Sequence, residues 1–192
     1  MHEFTNRILT LGLLTILFAT SCATYENRLV RKERIKLSAE AINSFNMNFS
    51  SKSYKHCIKK GKFDLDERDL ITTLNRSNDK QLDSTKCKSY KVKFISVDTL
   101  LLQGVDFNGS IITNYKYDGK LKNGFFYLNN KKVKFNGIPY LFGGSRSEKT
   151  RIGLSKNNDL IVQTAIDNTG AFLLIVGSGY SYNIATFFIE VK

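Results

Sequence analysis

The sequence predicts a mainly β chain: an antiparallel up-and-down meander closing as a barrel or a sandwich, with one short helix near the start of the domain. Three observations carry this. From Ser89 onward apolar and polar residues alternate with period two, as where Tyr90, Val92 and Phe94 face one way and Lys91 and Lys93 the other. Short runs of this kind recur at intervals of about 8–12 residues, the spacing of strands in sandwiches and barrels. Between the runs stand Asn108-Gly109, Asp118-Gly119, Asn123-Gly124, Asn129-Asn130, Asn136-Gly137 and Asn157-Asn158, residues that accept the positive φ of hairpin turns. A single proline in 192 residues leaves the ladders uninterrupted.

Taken in order, residues 1–21 read as an export signal that is removed. Arg7 charges a short leading region, and Ile8 to Ala19 is an uncharged apolar run. That run fits a signal peptide and falls short of the roughly 20 residues of a spanning helix. Residues 22–44 read as a polar, lipid-bearing tether, because their apolar residues fall on no single helical stripe. Residues 45–192 read as one β-rich domain. Phe45, Met47 and Phe49 share one face of a first strand, and Asp64 to Asn75 reads as the short helix, burying Leu70, Ile71 and Leu74. Strands are then expected at Ser89–Phe94, Thr99–Val105, Ser110–Tyr117, Lys120–Leu121, Phe125–Leu128, Lys132–Phe135, Arg151–Leu154, Leu160–Ala165, Ala171–Val176 and Ala185–Val191.

The apolar run ends at Ala19-Thr20-Ser21-Cys22. Small residues directly before a cysteine resemble the lipobox of bacterial lipoproteins, departing from it at Ala19, where Leu is commonest. The resemblance implies that the chain is cut before Cys22, that Cys22 is acylated, and that membrane lipid is the first partner. Each buried methylene of an acyl chain contributes about 0.8 kcal/mol, so two or more chains anchor stably.

Composition bounds the rest. Hydrophobic residues make up 42 % of the chain, which places it among globular proteins, and the net charge is +12. Lysines cluster over 52–62, over 86–93 and over 131–134, and Arg28, Arg31, Lys32, Arg34 and Lys36 crowd the tether. In an exported protein such charge meets anionic lipid headgroups or acidic polysaccharide, and no nucleic acid; otherwise it forms a solvated surface. Besides Cys22 there are Cys57 and Cys87, and in an oxidising compartment a disulfide between them is expected.

The chain offers little for catalysis, and no catalytic residue is assigned. His56 is the one histidine beyond the signal, so a multi-histidine metal site is ruled out and no metal or cofactor is expected. His56 reads as a surface side chain, and it points away from Cys57 if both lie on a strand. Gly143 to Ser147 lacks the Gly-x-Ser-x-Gly elbow and reads as a flexible loop, with Gly177 to Tyr180 a late hairpin turn. Asp64, Asp66, Glu67 and Asp69 read as helix-capping acids, and no convergent carboxylate pair stands out.

A first strand, a short helix and then a meander resemble the small lipocalin-like or β-sandwich lipoproteins of Gram-negative bacteria. Lys120 to Val133 and Thr150 to Asp159 carry that resemblance, which spans about the last hundred residues. It implies a location in the outer membrane, and the lack of an acid directly after Cys22, where Ala23-Thr24 follow, points to the periplasmic face. The function expected is non-catalytic binding of a lipid or other small apolar ligand. The alternatives are an envelope scaffold for a protein or cell-wall partner and, behind both, a hydrolase.

Overall fold

The computed structural model describes residues 24–59, 62–64, 66–75, 85–138, 142–172 and 176–192. The export signal and Cys22 lie outside the described residues. One antiparallel sheet of 12 strands makes the fold. In chain order they are β1 (Arg34–Ile35), β2 (Asn46–Ser50), β3 (Lys55–Lys59), β4 (Lys62–Asp64), β5 (Ser89–Ser96), β6 (Thr99–Val105), β7 (Ile111–Lys122), β8 (Phe125–Leu128), β9 (Lys132–Ile138), β10 (Phe142–Ser155), β11 (Leu160–Phe172) and β12 (Val176–Phe188). Two short helices accompany them, α1 (Ala39–Asn43) and α2 (Leu70–Leu74).

The strands lie in the order β2-β5-β6-β7-β8-β10-β11-β12-β3-β4, with β1 and β9 both added to β10. The sheet curls into a half-barrel. Just past β12 the chain meets the first strand of the path again: Ser50 N donates to Ile189 O at 2.9 Å and Val191 N to Asn48 O at 2.8 Å. The chain is therefore mainly β and antiparallel, as its sequence predicts.

Alternation fills the inside. Tyr90 and Val92 of β5, Leu100 and Leu102 of β6, Phe126 and Leu128 of β8, Ile152 of β10 and Val162 of β11 form one buried cluster. Phe45 and Phe49 join it from the first strand, and Leu70, Ile71 and Leu74 close it from α2. The helix is shorter than the sequence suggests, because Asp64 belongs to β4 and only the turn capped by Asp69 is helical. There Asp69 Oδ1 accepts from Thr72 N at 3.1 Å.

Several expectations are corrected. Residues 24–44 are not a free tether. The stretch 24–37 is a strap across the outer face of β8, β10, β11 and β12, where Val30 packs with Phe125, Ile161, Ala185 and Phe187. Strand β1 pairs Ile35 with Leu154, and α1 buries Ile42. Of the five strap cations, Arg28, Arg31, Lys32 and Lys36 are exposed, whereas Arg34 donates to Asn123 O at 2.9 Å and lies over Phe125. Cys57 and Cys87 are buried free thiols and form no disulfide. Cys57 sits opposite Ala185 on β3, while Cys87 lies in the inner cluster beside Gly104. Gly143 to Ser147 and Gly177 to Tyr180 are strand rather than loop, in ladders that set Gly137, Gly143, Ala171 and Gly177 side by side. Of the strand expected at Ala171–Val176, Ala171 and Phe172 end β11 and Val176 opens β12, and residues 173–175 lie outside the described residues. Asp118-Gly119 is no turn, because Gly119 sits inside β7 under the Phe126 ring.

Candidate functional site

Strands β10, β11 and β12 share a long register, and alternate residues of each face the concave side. Near the core that side is apolar, with Ile152 beside Val162. One step further Thr150, Thr164 and Ile184 stand in a row, with Thr186 beside His56 of β3. Next come Glu148, Ile166 and Tyr182, then Arg146, Asn168 and Tyr180, then Gly144 and Gly170. The face thus changes from apolar to hydroxyl, amide and aromatic along roughly 20 Å, at about 3.4 Å per residue.

The chain before α2 covers the first part of this face. Ser53 and Arg68 exchange two bonds, Ser53 N to Arg68 O and Arg68 N to Ser53 Oγ, both at 2.9 Å. That clamp sets Arg68 over β3, where its Nη2 lies 3.1 Å from His56 Nε2. Arginine has donors only, so Nε2 accepts and the ring proton sits on Nδ1. His56 is fully buried, which corrects the surface placement expected from its lysine-rich surroundings.

Between this clamp and the strands lies a concavity of about 380 Å³, lined by Glu67, Arg68, Asp69, Thr72, Thr73, Thr164, Ile184 and Thr186. Thr164 Oγ1, Thr186 Oγ1 and Asp69 Oδ2 are buried there without a hydrogen-bond partner among the described residues. Leaving such an atom unsatisfied costs about 1–3 kcal/mol. Burial, and then the Asp69 carboxylate, hold the nearby Tyr90 hydroxyl well above the usual phenol range. Further along, Asn136, Gly144, Arg146, Asn168, Gly170 and Tyr180 border a second, open concavity of about 450 Å³. Gly144, Gly170 and Gly179 all line it, and the Tyr180 and Tyr182 rings stack beside it with centroids 5.8 Å apart.

A different polar centre lies on the outer face. Arg151 is 2 % exposed. Its Nε and Nη2 donate to Gln163 Oε1 at 2.9 and 2.6 Å, Nη1 to Tyr127 Oη at 2.9 Å, and Nη2 to Asn27 Oδ1 at 2.7 Å. The guanidinium carbon lies 3.9 Å from the Phe125 ring centre and 4.3 Å from that of Tyr25. All of these partners are neutral. Burial pushes the Arg151 pKa below its ordinary value, and the Tyr127 hydrogen bond opposes that. The strap residues Tyr25 and Asn27 are part of the cage, so this cation fixes the strap and faces no cleft.

The residues singled out by sequence do not converge. Cys57 and Cys87 stand apart, the strap cations lie on the outer face, and Cys22 lies outside the described residues. Among the described residues no group of three His, Cys, Asp or Glu side chains could hold a metal ion. Thr164, Thr186, Asn168, Tyr180 and Tyr182 escaped the sequence reading because each is an ordinary strand residue. One signal was present: no charged residue stands between Asp167 and Glu190 although the stretch is rich in Thr, Asn, Ser and Tyr. Set against protein-family models, curated proteins and solved structures, the chain matches none.

Proposed function

We propose that this chain is a non-catalytic, membrane-anchored protein of the bacterial envelope, held by an acylated Cys22, whose concave face binds an oligosaccharide. One observation carries the ligand class: three buried polar atoms, Thr164 Oγ1, Thr186 Oγ1 and Asp69 Oδ2, belong to residues lining a concavity and have no partner among the described residues. A ligand rich in hydroxyls supplies both donors and acceptors to such atoms. The stacked tyrosines and the amides of Asn136 and Asn168 continue the same chemistry along the strands. An apolar ligand, the expectation from sequence, draws no support from the described interior, where Phe126, Phe188, Tyr90 and Leu102 fill the inner cluster.

Titration calorimetry with cell-wall and lipopolysaccharide-core oligosaccharides tests this. Binding is expected, and a Thr164→Val/Thr186→Val variant, which keeps shape and removes both hydroxyls, is expected to lose about tenfold in affinity. Failure of every oligosaccharide to bind, or full affinity in the variant, defeats the reading. A lipid retained in native mass spectra of protein purified without detergent would return the ligand to the apolar class.

A further inference from the structure

We infer that the oligosaccharide is acidic, and that a carboxylate or phosphate on one of its sugars sits in the open concavity against Arg146. The inference rests on the oligosaccharide reading above and adds to it the charge of the ligand and the place where that charge is held.

The two concavities of the concave face differ in charge. The one at Thr164 and Thr186 is lined by Glu67 and Asp69 as well as Arg68, so an anion gains little there. Four residues further along the strands, about 14 Å away, the lining of the open concavity holds Arg146 and no acid. Glu148, two residues along the same face, is buried, and its Oε2 accepts from Arg146 Nη2 at 3.3 Å. Asp167 pairs with Ser147 on the outer face. The sequence has no charged residue between Asp167 and Glu190, so β12 brings no acid either.

Register sets a second cation beside the first. Lys134 of β9 is the cross-strand partner of Arg146, so both side chains leave the sheet on the concave face. Like charges directly opposite one another destabilise a sheet. The fold keeps this pair where 46 % of the Arg146 side chain is exposed, and an anion held between the two would relieve the repulsion. A guanidinium presents a planar fork of donors that matches the oxygens of a carboxylate or phosphate, and a lysine adds a point charge beside it. The neighbours suit the sugar that bears the anion. Asn136 and Asn168 line the same concavity with amides, which both donate to and accept from hydroxyls. Tyr180 is 62 % exposed and offers an aromatic surface to the C–H face of a sugar ring. The net charge of +12 draws an anionic ligand toward the chain from solution.

Titration calorimetry on the full-length chain tests this with lipopolysaccharide-core oligosaccharide, whose charges are phosphates and carboxylates. It is used intact, dephosphorylated, with its carboxyls reduced to alcohols, and with both changes made; chitotetraose serves as a neutral glycan. The intact form is expected to bind about tenfold more tightly than the doubly neutralised one. The single change that removes this factor tells phosphate from carboxylate. Arg146→Gln is expected to lose about the same factor toward the intact form and nothing toward the neutralised one. Lys134→Gln leaves the Arg146–Glu148 bond in place and makes the same comparison, with a smaller loss, should replacement of Arg146 disturb the fold. Equal affinity for the intact and neutralised forms overturns the inference, as does chitotetraose binding as tightly as the intact form, or an Arg146→Gln loss that is the same for both forms. Each of these leaves the oligosaccharide reading standing. Failure of every probe to bind defeats both.

Discussion

Replacing Gln163 by leucine probes the buried cation of the outer face. Gln163 Oε1 takes two of the four hydrogen bonds that Arg151 donates, and its Nε2 donates to Glu26 O at 2.9 Å. Leucine has similar bulk and no oxygen. Leaving a buried charged donor without its acceptor costs about 1.5–3 kcal/mol for each hydrogen bond lost. Here the rings of Phe125 and Tyr25 stay in place and retain about 1 kcal/mol of cation–π attraction. The expected loss in Gln163→Leu is therefore about 3 kcal/mol, a large part of the roughly 5–15 kcal/mol that holds a domain together. Arg151→Met/Gln163→Leu removes the charge along with its acceptor. Asn27 is exposed, so water replaces the lost donor there, and the double variant is expected within about 1.5 kcal/mol of the parent. Urea unfolding followed by far-ultraviolet circular dichroism measures both, with an unchanged m-value as the check that the unfolded state is the same. A single variant as stable as the parent would refute the reasoning, as would a double variant less stable than the single.

Other consequences are equally direct. Burial raises the hydroxyls of Tyr25, Tyr54, Tyr90 and Tyr117 above the usual phenol range. A raised acid pKa protects the folded state below the unfolded value of about 10 and works against it above, so stability should fall as pH passes 10. Ultraviolet titration should find these four ionising only as the fold is lost; ionisation of all nine tyrosines near pH 10 in folded protein would contradict this. A Cβ at Gly119 would collide with Tyr127 O and lie 2.6 Å from the Phe126 ring, so Gly119→Ala should cost about 1–3 kcal/mol in urea. Cys57 and Cys87 should react with a thiol reagent only in denaturant, and dithiothreitol should leave the unfolding midpoint unmoved.

How much was legible follows from which forces acted locally. The Asn123-Gly124 turn was plain, because both residues adopt the positive φ, 54° and 75°, that a tight hairpin demands. Strand β6 was plain for the same kind of reason: Leu100 and Leu102 are core on every reading. Strand β10 was legible only over Arg151–Leu154. Its other half carries Gly143, Gly144, Arg146 and Glu148, which have no strand pattern, and it is extended because β9 and β11 pair with it on both sides. The strap was misread because its apolar residues serve different neighbours, Val30 on the outer face and Leu37 in the inner cluster, so no stripe forms. Beyond the uncharged stretch that holds Thr186, nothing in the local sequence marks Thr164 and Thr186, since what distinguishes them is the chain before α2 that covers them.

Both faces of β10–β12 break the usual rules of burial, and they do so differently. On the outer face a cation is buried among neutral partners, yet it donates four hydrogen bonds and aromatic rings cover it. The violation is closed from within, and its product is a strap pinned to the sheet. On the concave face the violation stays open, since two threonine hydroxyls and a carboxylate oxygen are buried with no partner among the described residues. A sheet secured on its outer side by the strap and on its inner side by the Phe126–Phe188 cluster has stability to spare for such a cost. Sites whose local conflicts are resolved inside the fold serve its architecture, whereas those left unresolved are where a second molecule lowers the free energy. On that distinction Arg151 belongs to the scaffold, and the Thr164–Thr186 concavity is where binding is to be sought.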